Sequence, residues 1–362
     1  MSDPQIPDGP GAAMRVLIVT TMRNEAPFLL EWIAHHRAAG VTDFLVYSND
    51  CADGTDRMLD RLDREGVVVH RPRLAAGERS VQWQALADAS DHPLRRAADW
   101  IAVLDCDEFL NLRAPLATIP ELIAAAGPAD AIALRWRLFG HDGRVAFTDA
   151  PVTGQFLSAA PDPCPYPLPA SFFKTLFRAC RFDGLGVHRP RAATAPEARR
   201  WVDGGGRALP PGLAAAQGRI HLWGLPTGTG LVQLNHYAVR AAESFMIKRD
   251  RGLPNHRGRA VDLDYWVERN FNSVRDDSIA RMAPATAAEA ARLRALPGLA
   301  DLHAAGVAWH RARFRTLMRR PDEARLFGRL LLAGGSATLS AAAAHRVLAA
   351  MTAAVRDDGA GT

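Results

Sequence analysis

IAVLDCDEFL, residues 101 to 110, is an apolar run that stops abruptly at three carboxylates, Asp105, Asp107 and Glu108. Ile101, Val103 and Leu104 predict a buried strand of an α/β sheet, and ligands of such sheets bind in the crevice outside the strands' carboxyl ends. Residues two apart in an extended chain share a face, so Asp105 and Asp107 can point into one pocket. A hard divalent cation such as Mg2+ or Mn2+ would relieve their repulsion there. The same residues also suit a solvated strand end followed by a helix cap, and the stretch alone does not choose.

Outward from it the chain alternates strand and helix. RVLIVTT (15–21) predicts a first strand, APFLLEWIAHHRAAG (26–40) a helix ended by Gly40, FLVYS (44–48) a second strand, TDRMLDRLDREG (55–66) a second helix and VVVH (67–70) a third strand. A helix through VQWQALADAS (81–90) leads to the acidic strand, and a helix at 118–126 precedes another strand at 131–139. This order implies a doubly wound, mostly parallel sheet flanked by helices. From 150 to 230 the texture changes, with prolines at 161, 163, 165, 167 and 169 and the run Gly204 to Gly206, which predicts a long loop-rich insertion. A helix near 240–251 follows. Beyond Pro284 the Ala/Arg/Leu-rich chain predicts a helical C-terminal extension, with Gly334 and Gly335 dividing its most apolar part into a helical pair. The expected organisation is a flexible N-terminus (1–13), an α/β domain (14–275) with a nucleotide-binding half (14–110) and an acceptor and metal half (111–275), and the extension (276–362).

The 362 residues carry a formal charge of +5, and all but two of the 44 basic residues are arginines; the lysines are Lys174 and Lys248. Basic residues are scattered among 39 acids with no block interleaved with aromatics, which argues against a nucleic-acid partner and suits an anionic small molecule. Cys51, Cys106, Cys164 and Cys180 are widely spaced, without the clusters of structural zinc or of a disulfide framework. A reducing cytoplasm is the expected compartment, with peripheral contact at the inner face of the membrane as the secondary reading. No cationic start with an apolar stretch marks a signal peptide, and no unbroken apolar run matches a membrane span.

Three further clusters carry candidate chemistry. The first strand ends in Arg23, Asn24 and Glu25, where a nucleotide would sit, although Pro27 there is also good helix-start chemistry. The second ends in Ser48, Asn49, Asp50 and Asp53, placed to bind a ribose or base; Asp53, Gly54 and Thr55 equally describe a turn and helix cap. No GxGxxG and no GxxxxGK[ST] is present, so neither a dinucleotide enzyme nor a P-loop ATPase is supported. In LNHYAVRAAESFMIKRDRG (234–252), His236 is a candidate third metal ligand or a core histidine. Lys174 and Lys248 are candidate diphosphate partners, because a compact ammonium differs from a guanidinium fork.

Taken together, MRNEAPFLLEWIAHHRAAGV, YSNDCADGT, LDCDEFL and LNHYAVRAAESFMIKRDRG resemble bacterial glycosyltransferase family 2 of the GT-A type, in a branch similar to family 92. RWRLFGHDG and SFFKTLFR, between the acidic and the His-Tyr segments, fit the same resemblance, which covers roughly residues 14 to 275. It implies a GT-A-like fold and a nucleotide-sugar donor, with UDP-sugars favoured, bound by Arg23, Asn24, Glu25, Asn49, Asp50, Asp53, Asp105, Lys174 and Lys248. It further implies Mn2+ or Mg2+ on Asp105, Asp107 and His236, a glycan or glycolipid acceptor, and inversion at the anomeric carbon. Ser48 and Asn49 stand where many members carry paired acids, and Cys51 where serine is usual. Glu108, Asp142, Asp149 and Glu243 are candidate bases; Asp142, in a Gly-flanked loop, is preferred and Glu243 is the alternative. Two rivals remain at this level, a non-catalytic nucleotide-sugar-binding relative and a haloacid dehalogenase-type phosphatase with Asp105 as nucleophile. Phe109 departs from the phosphatase pattern, and the motif lies late in the chain for it.

Overall fold

The computed structural model describes residues 14–73, 80–252 and 261–359, so the expected flexible N-terminus lies outside the described residues. The strands are β1 (Val16–Met22), β2 (Asp43–Asn49), β3 (Val69–Arg73), β4 (Trp100–Val103), β5 (Glu108–Leu112), β6 (Ala131–Leu138), β7 (Ser158–Ala159), β8 (Phe173–Arg178), β9 (Trp201–Asp203), β10 (Val232–His236) and β11 (Val274–Arg275). The helices are α1 (Ala26–Ala38), α2 (Thr55–Arg64), α3 (Val81–Asp91), α4 (Pro93–Ala97), α5 (Ile119–Ala125), α6 (Val152–Gln155), α7 (Pro211–Ala215), α8 (Ala242–Arg251), α9 (Leu263–Val267), α10 (Ala283–Arg294), α11 (Leu299–Leu317), α12 (Pro321–Ala333) and α13 (Ala341–Gly359).

The main sheet has the order β3-β2-β1-β4-β8-β6-β10-β5, with β9 paired to β6. All of its strands run in one direction except β8 and β5. Alternation along the strands builds two cores: Val16, Ile18, Phe44, Val46 and Ala102 face one, and Leu17, Val19, Leu45, Tyr47 and Ile101 the other. A strand buried on both faces has no polar side, which is why these segments read as unbroken apolar runs. A third core, including Phe245, Trp266, Leu317 and Leu330, joins α8 to the C-terminal helices.

Three expectations change. VVVH shifts to β3 at 69–73, where Pro72 is tolerated because β3 is an edge strand. The helix cap entertained after the acids is instead β5, which begins at Glu108 and pairs antiparallel with β10. The 150–230 stretch, expected to be loop-rich, also carries strands of the main sheet. It supplies β8, which lies between β4 and β6 at the centre of the sheet, and β9. The C-terminal extension is equally integral: α10 packs on α1, and α11 on α1, α2 and α8. At Gly306 of α11 an added Cβ would lie 2.5 Å from the Ala26 Cβ, so this helix crosses the start of α1 at a distance only glycine permits.

Candidate functional site

Because β1, β2, β4, β6 and β10 run the same way, the loops after them share one edge of the sheet. Four non-glycine residues with left-handed backbone fall in those loops: Asn24 (φ 53°), Asp50 (φ 46°), Asp142 (φ 52°) and Arg240 (φ 54°). Such conformations cost energy for a residue with a Cβ and collect where surrounding contacts impose them.

The acidic segment is a tight turn between β4 and β5, closed by the Glu108 N–H donating to the Asp105 carbonyl at 3.0 Å. Glu108 is fully buried, and its carboxylate accepts from the Asp105 N–H (2.8 Å) and the Trp136 indole (2.7 Å). Burial pushes this carboxyl well above the ordinary carboxylate range, against the pull of Lys174. Glu108 thus braces the turn from below. The Tyr237 N–H donates to the Asp107 carbonyl at 2.8 Å and ties the turn to the end of β10.

The two aspartates point to different partners. The Lys174 ammonium, on β8 and fully buried, donates to Asp105 at 2.9 Å, while the Gln82 amide of α3 reaches the other oxygen at 3.3 Å. The Lys248 ammonium, on α8, donates to Asp107 at 2.6 Å and to the Ala238 carbonyl at 2.8 Å. His236 Nε2 lies 3.6 Å from the other Asp107 oxygen. The two lysines of the chain are therefore each paired with one aspartate of the turn. Burial alone would raise the Asp107 carboxyl, but Lys248 and His236 outweigh it and hold it well below the usual range. Burial lowers His236 against the opposing pull of Asp107.

A second ionic knot fastens α8 to the loop after β1. Glu25 is buried and accepts from Arg240 at 2.9 Å and from Arg251. Arg251 also donates to the Arg23 carbonyl at 2.7 Å, and Arg23 returns a bond to the Arg251 carbonyl at 3.1 Å. A cleft between these elements is lined by Asn24, Asp107, Lys248, Arg251 and, from the C-terminal extension, His310. His310 is buried, accepts from or donates to the Ser244 hydroxyl at 3.1 Å, and is pushed down to about 3 by burial.

The expected donor residues divide. Asn24 accepts from the Ala52 N–H at 2.8 Å and so joins the loops after β1 and β2, while Asp50 is exposed and takes a bond from the Asn49 amide at 3.0 Å. Asp53 is a cap: its buried carboxylate accepts from the N–H groups of Ala26 and Thr55 and from the Thr55 hydroxyl. The candidate bases carry architectural bonds as well. Asp142 accepts from the Ser158 hydroxyl at 2.6 Å and the Leu157 N–H at 3.2 Å. Glu243 accepts from the Phe147 N–H at 2.9 Å, and Asp149 lies 3.1 Å from His303. Arg240, Gln82 and His310 were not anticipated. Only Arg240 had a signal, its place in the His-Tyr segment.

As metal ligands, Asp107 and His236 suit one another by position: His236 Nε2 faces an Asp107 oxygen at 3.6 Å, and both side chains are buried. Asp105, turned to Lys174, does not converge on them, and among the described residues no three His, Cys, Asp or Glu side chains form a metal cluster.

The sequence profile of glycosyltransferase family 92 matches residues 17–200, just over half of the chain. The chain belongs to glycosyltransferase family 92. A family 92 protein of Oryza sativa subsp. japonica is 31% identical over 102 residues, 27% of this chain and 16% of the rice protein. One of Ricinus communis is 32% identical over 96 residues, 26% of this chain and 16% of its own length. The chain thus matches about a sixth of these family 92 relatives. S. aureus TarS 1–349 in complex with UDP superposes with a TM-score of 0.28 at 11% identity, covering 46% of this chain and 47% of that TarS 1–349 chain. That likeness is too distant to define the fold of this family 92 chain, which its own sheet order defines. Among the described residues no helix is long and apolar enough to cross a membrane.

Proposed function

We propose that the protein transfers a sugar from a nucleotide-sugar donor, with UDP-sugars favoured, to a hydroxyl of a glycan or glycolipid, inverting the anomeric carbon. The acceptor oxygen forms a bond to that carbon as the bond to the diphosphate breaks, the hydroxyl proton passes to a carboxylate, and the nucleoside diphosphate leaves with the electron pair. Such chemistry needs positioning and charge neutralisation above all. The observation that carries the reading is the acidic turn of a family 92 chain, at the carboxyl edge of a doubly wound sheet, with one lysine on each aspartate.

In this reading Lys248 and Arg251 meet the diphosphate, Asn24, Asn49 and Asp50 meet the nucleoside, and Lys174 keeps Asp105 oriented. Asp142 is proposed as the base, with Glu243 as the alternative. Mn2+ or Mg2+ is proposed on Asp107 and His236, where it would supply positive charge for the leaving diphosphate. The non-catalytic relative is the second reading, favoured by how fully the carboxylates are already paired.

Calorimetry with UDP, together with UDP release from a panel of UDP-sugars in Mn2+, tests the proposal. Binding and release by the wild type, both lost in Asp105→Asn and Asp107→Asn, are expected. Saturable binding without release would leave the non-catalytic relative, and phosphate release from phosphomonoesters would return the phosphatase.

A further inference from the structure

We propose that Arg240 is a positioning residue that sets the shape of the Asp105–Asp107 turn; this rests on the donor reading above. Its guanidinium donates to Glu25 in the loop after β1 at 2.9 Å and to the Cys106 carbonyl at 3.0 Å, and lies 3.7 Å over the Phe28 ring. Cys106 sits between the two aspartates. Fixing the direction of its carbonyl fixes the Cys106–Asp107 peptide plane, and hence where the Asp107 carboxylate leaves the backbone.

The backbone supports this assignment. Asn24, Asp50 and Asp142 are residue types that tolerate left-handed backbone, whereas Arg240 holds φ 54° in the turn joining β10 to α8. A residue forced into that region is over-determined by its surroundings. Here the surroundings are Glu25, Cys106 and Phe28, which belong to the loop after β1, the acidic turn and α1. One planar fork joins them, with its two terminal nitrogens on separate acceptors, a fixed geometry that a lysine ammonium does not reproduce. A plain buried ion pair would need only Glu25, and replacing such a pair is often close to neutral.

The test compares wild type with Arg240→Lys and Arg240→Gly, the latter with and without added ethylguanidinium. Two quantities are read: hydrogen exchange of the 104–108 amides without nucleotide, and the Kd for UDP. The expected result is exchange at 104–108 faster by about tenfold or more, with β1 and β2 unchanged. UDP binding should weaken roughly a hundredfold, as for a displaced binding group, and ethylguanidinium should restore part of both in Arg240→Gly only. Wild-type exchange at 104–108 in both variants overturns the proposal. So does acceleration spread equally over β1 and β2, which marks a merely structural role. If the arginine variants fail to fold, Glu25→Ala, which removes the acceptor at one end of the fork, is expected to give the same local acceleration, and its absence counts against the proposal. Should wild type bind no UDP, the donor reading falls, while the exchange result still decides whether Arg240 shapes the turn.

Discussion

The loop after β2 and the turn after β4 place aspartates at equivalent ends of parallel strands and use them differently. Asp53 accepts from two backbone N–H groups and a hydroxyl, and burial raises its carboxyl above the ordinary range. Asp107 meets an ammonium and an imidazole, and its carboxyl is held low. What separates a cap from a charge site is therefore the partner. Backbone amides cannot be lent to a ligand without unravelling α1 and α2, whereas a lysine can exchange one anion for another.

Substituting the two acids is the sharpest way to break this contrast. Asp107→Asn is expected to lower kcat/KM for the donor by a factor of roughly 10^3, as for loss of a group that meets charge in the transition state, followed by UDP release at low donor concentration. Asp53→Ala is expected to cost about 3 kcal/mol of stability by leaving buried N–H groups unpaired, measured by urea unfolding, with little loss of turnover in the folded fraction. Reversal of the two outcomes would exchange the roles assigned here.

Acid sharpens the same line, because burial lowers His35 and His188 to about 4 and His310 to about 3. The folded protein resists protonation that the unfolded chain accepts from about pH 6.5, so stability declines as pH falls from there to about 4. For His35 alone the loss over that range is on the order of 3 kcal/mol. A melting temperature that is level between pH 7 and pH 4.5 would contradict this. The smallest expected effect is that of Asp142→Asn on stability, about 1 kcal/mol, since the amide oxygen keeps one of its two bonds. A fall in kcat with unchanged Kd for UDP would mark Asp142 as the base, and the same split in Glu243→Gln would move that role to α8.

Much of the parallel half was legible because a strand buried on both faces leaves an apolar run, and the alternation with amphipathic helices such as α2 leaves little choice of topology. The acidic turn and both lysines were legible as residue types in unusual company. Their pairing was not, since Lys174 reaches Asp105 across 69 positions and Lys248 reaches Asp107 across 141. Short strands inside irregular sequence were also lost: β8 and β9 lie in proline- and glycine-rich chain whose periodicity is too brief to stand out. Arg240 stood in the His-Tyr segment but as one arginine among dozens, and its backbone angle and the Cys106 carbonyl single it out there.

The reciprocal clasp between Arg23 and Arg251 joins backbone 228 positions apart. During synthesis, β1, β2 and β4 with both aspartates emerge long before Lys248, Arg240 or Arg251 exist to meet them. Until then the acids repel one another on an incomplete sheet, and β4 waits for β8. An N-terminal fragment ending before β10 would therefore carry the acidic turn and Lys174 without Lys248, Arg240 and Arg251, and so only half of the cations that meet its aspartates.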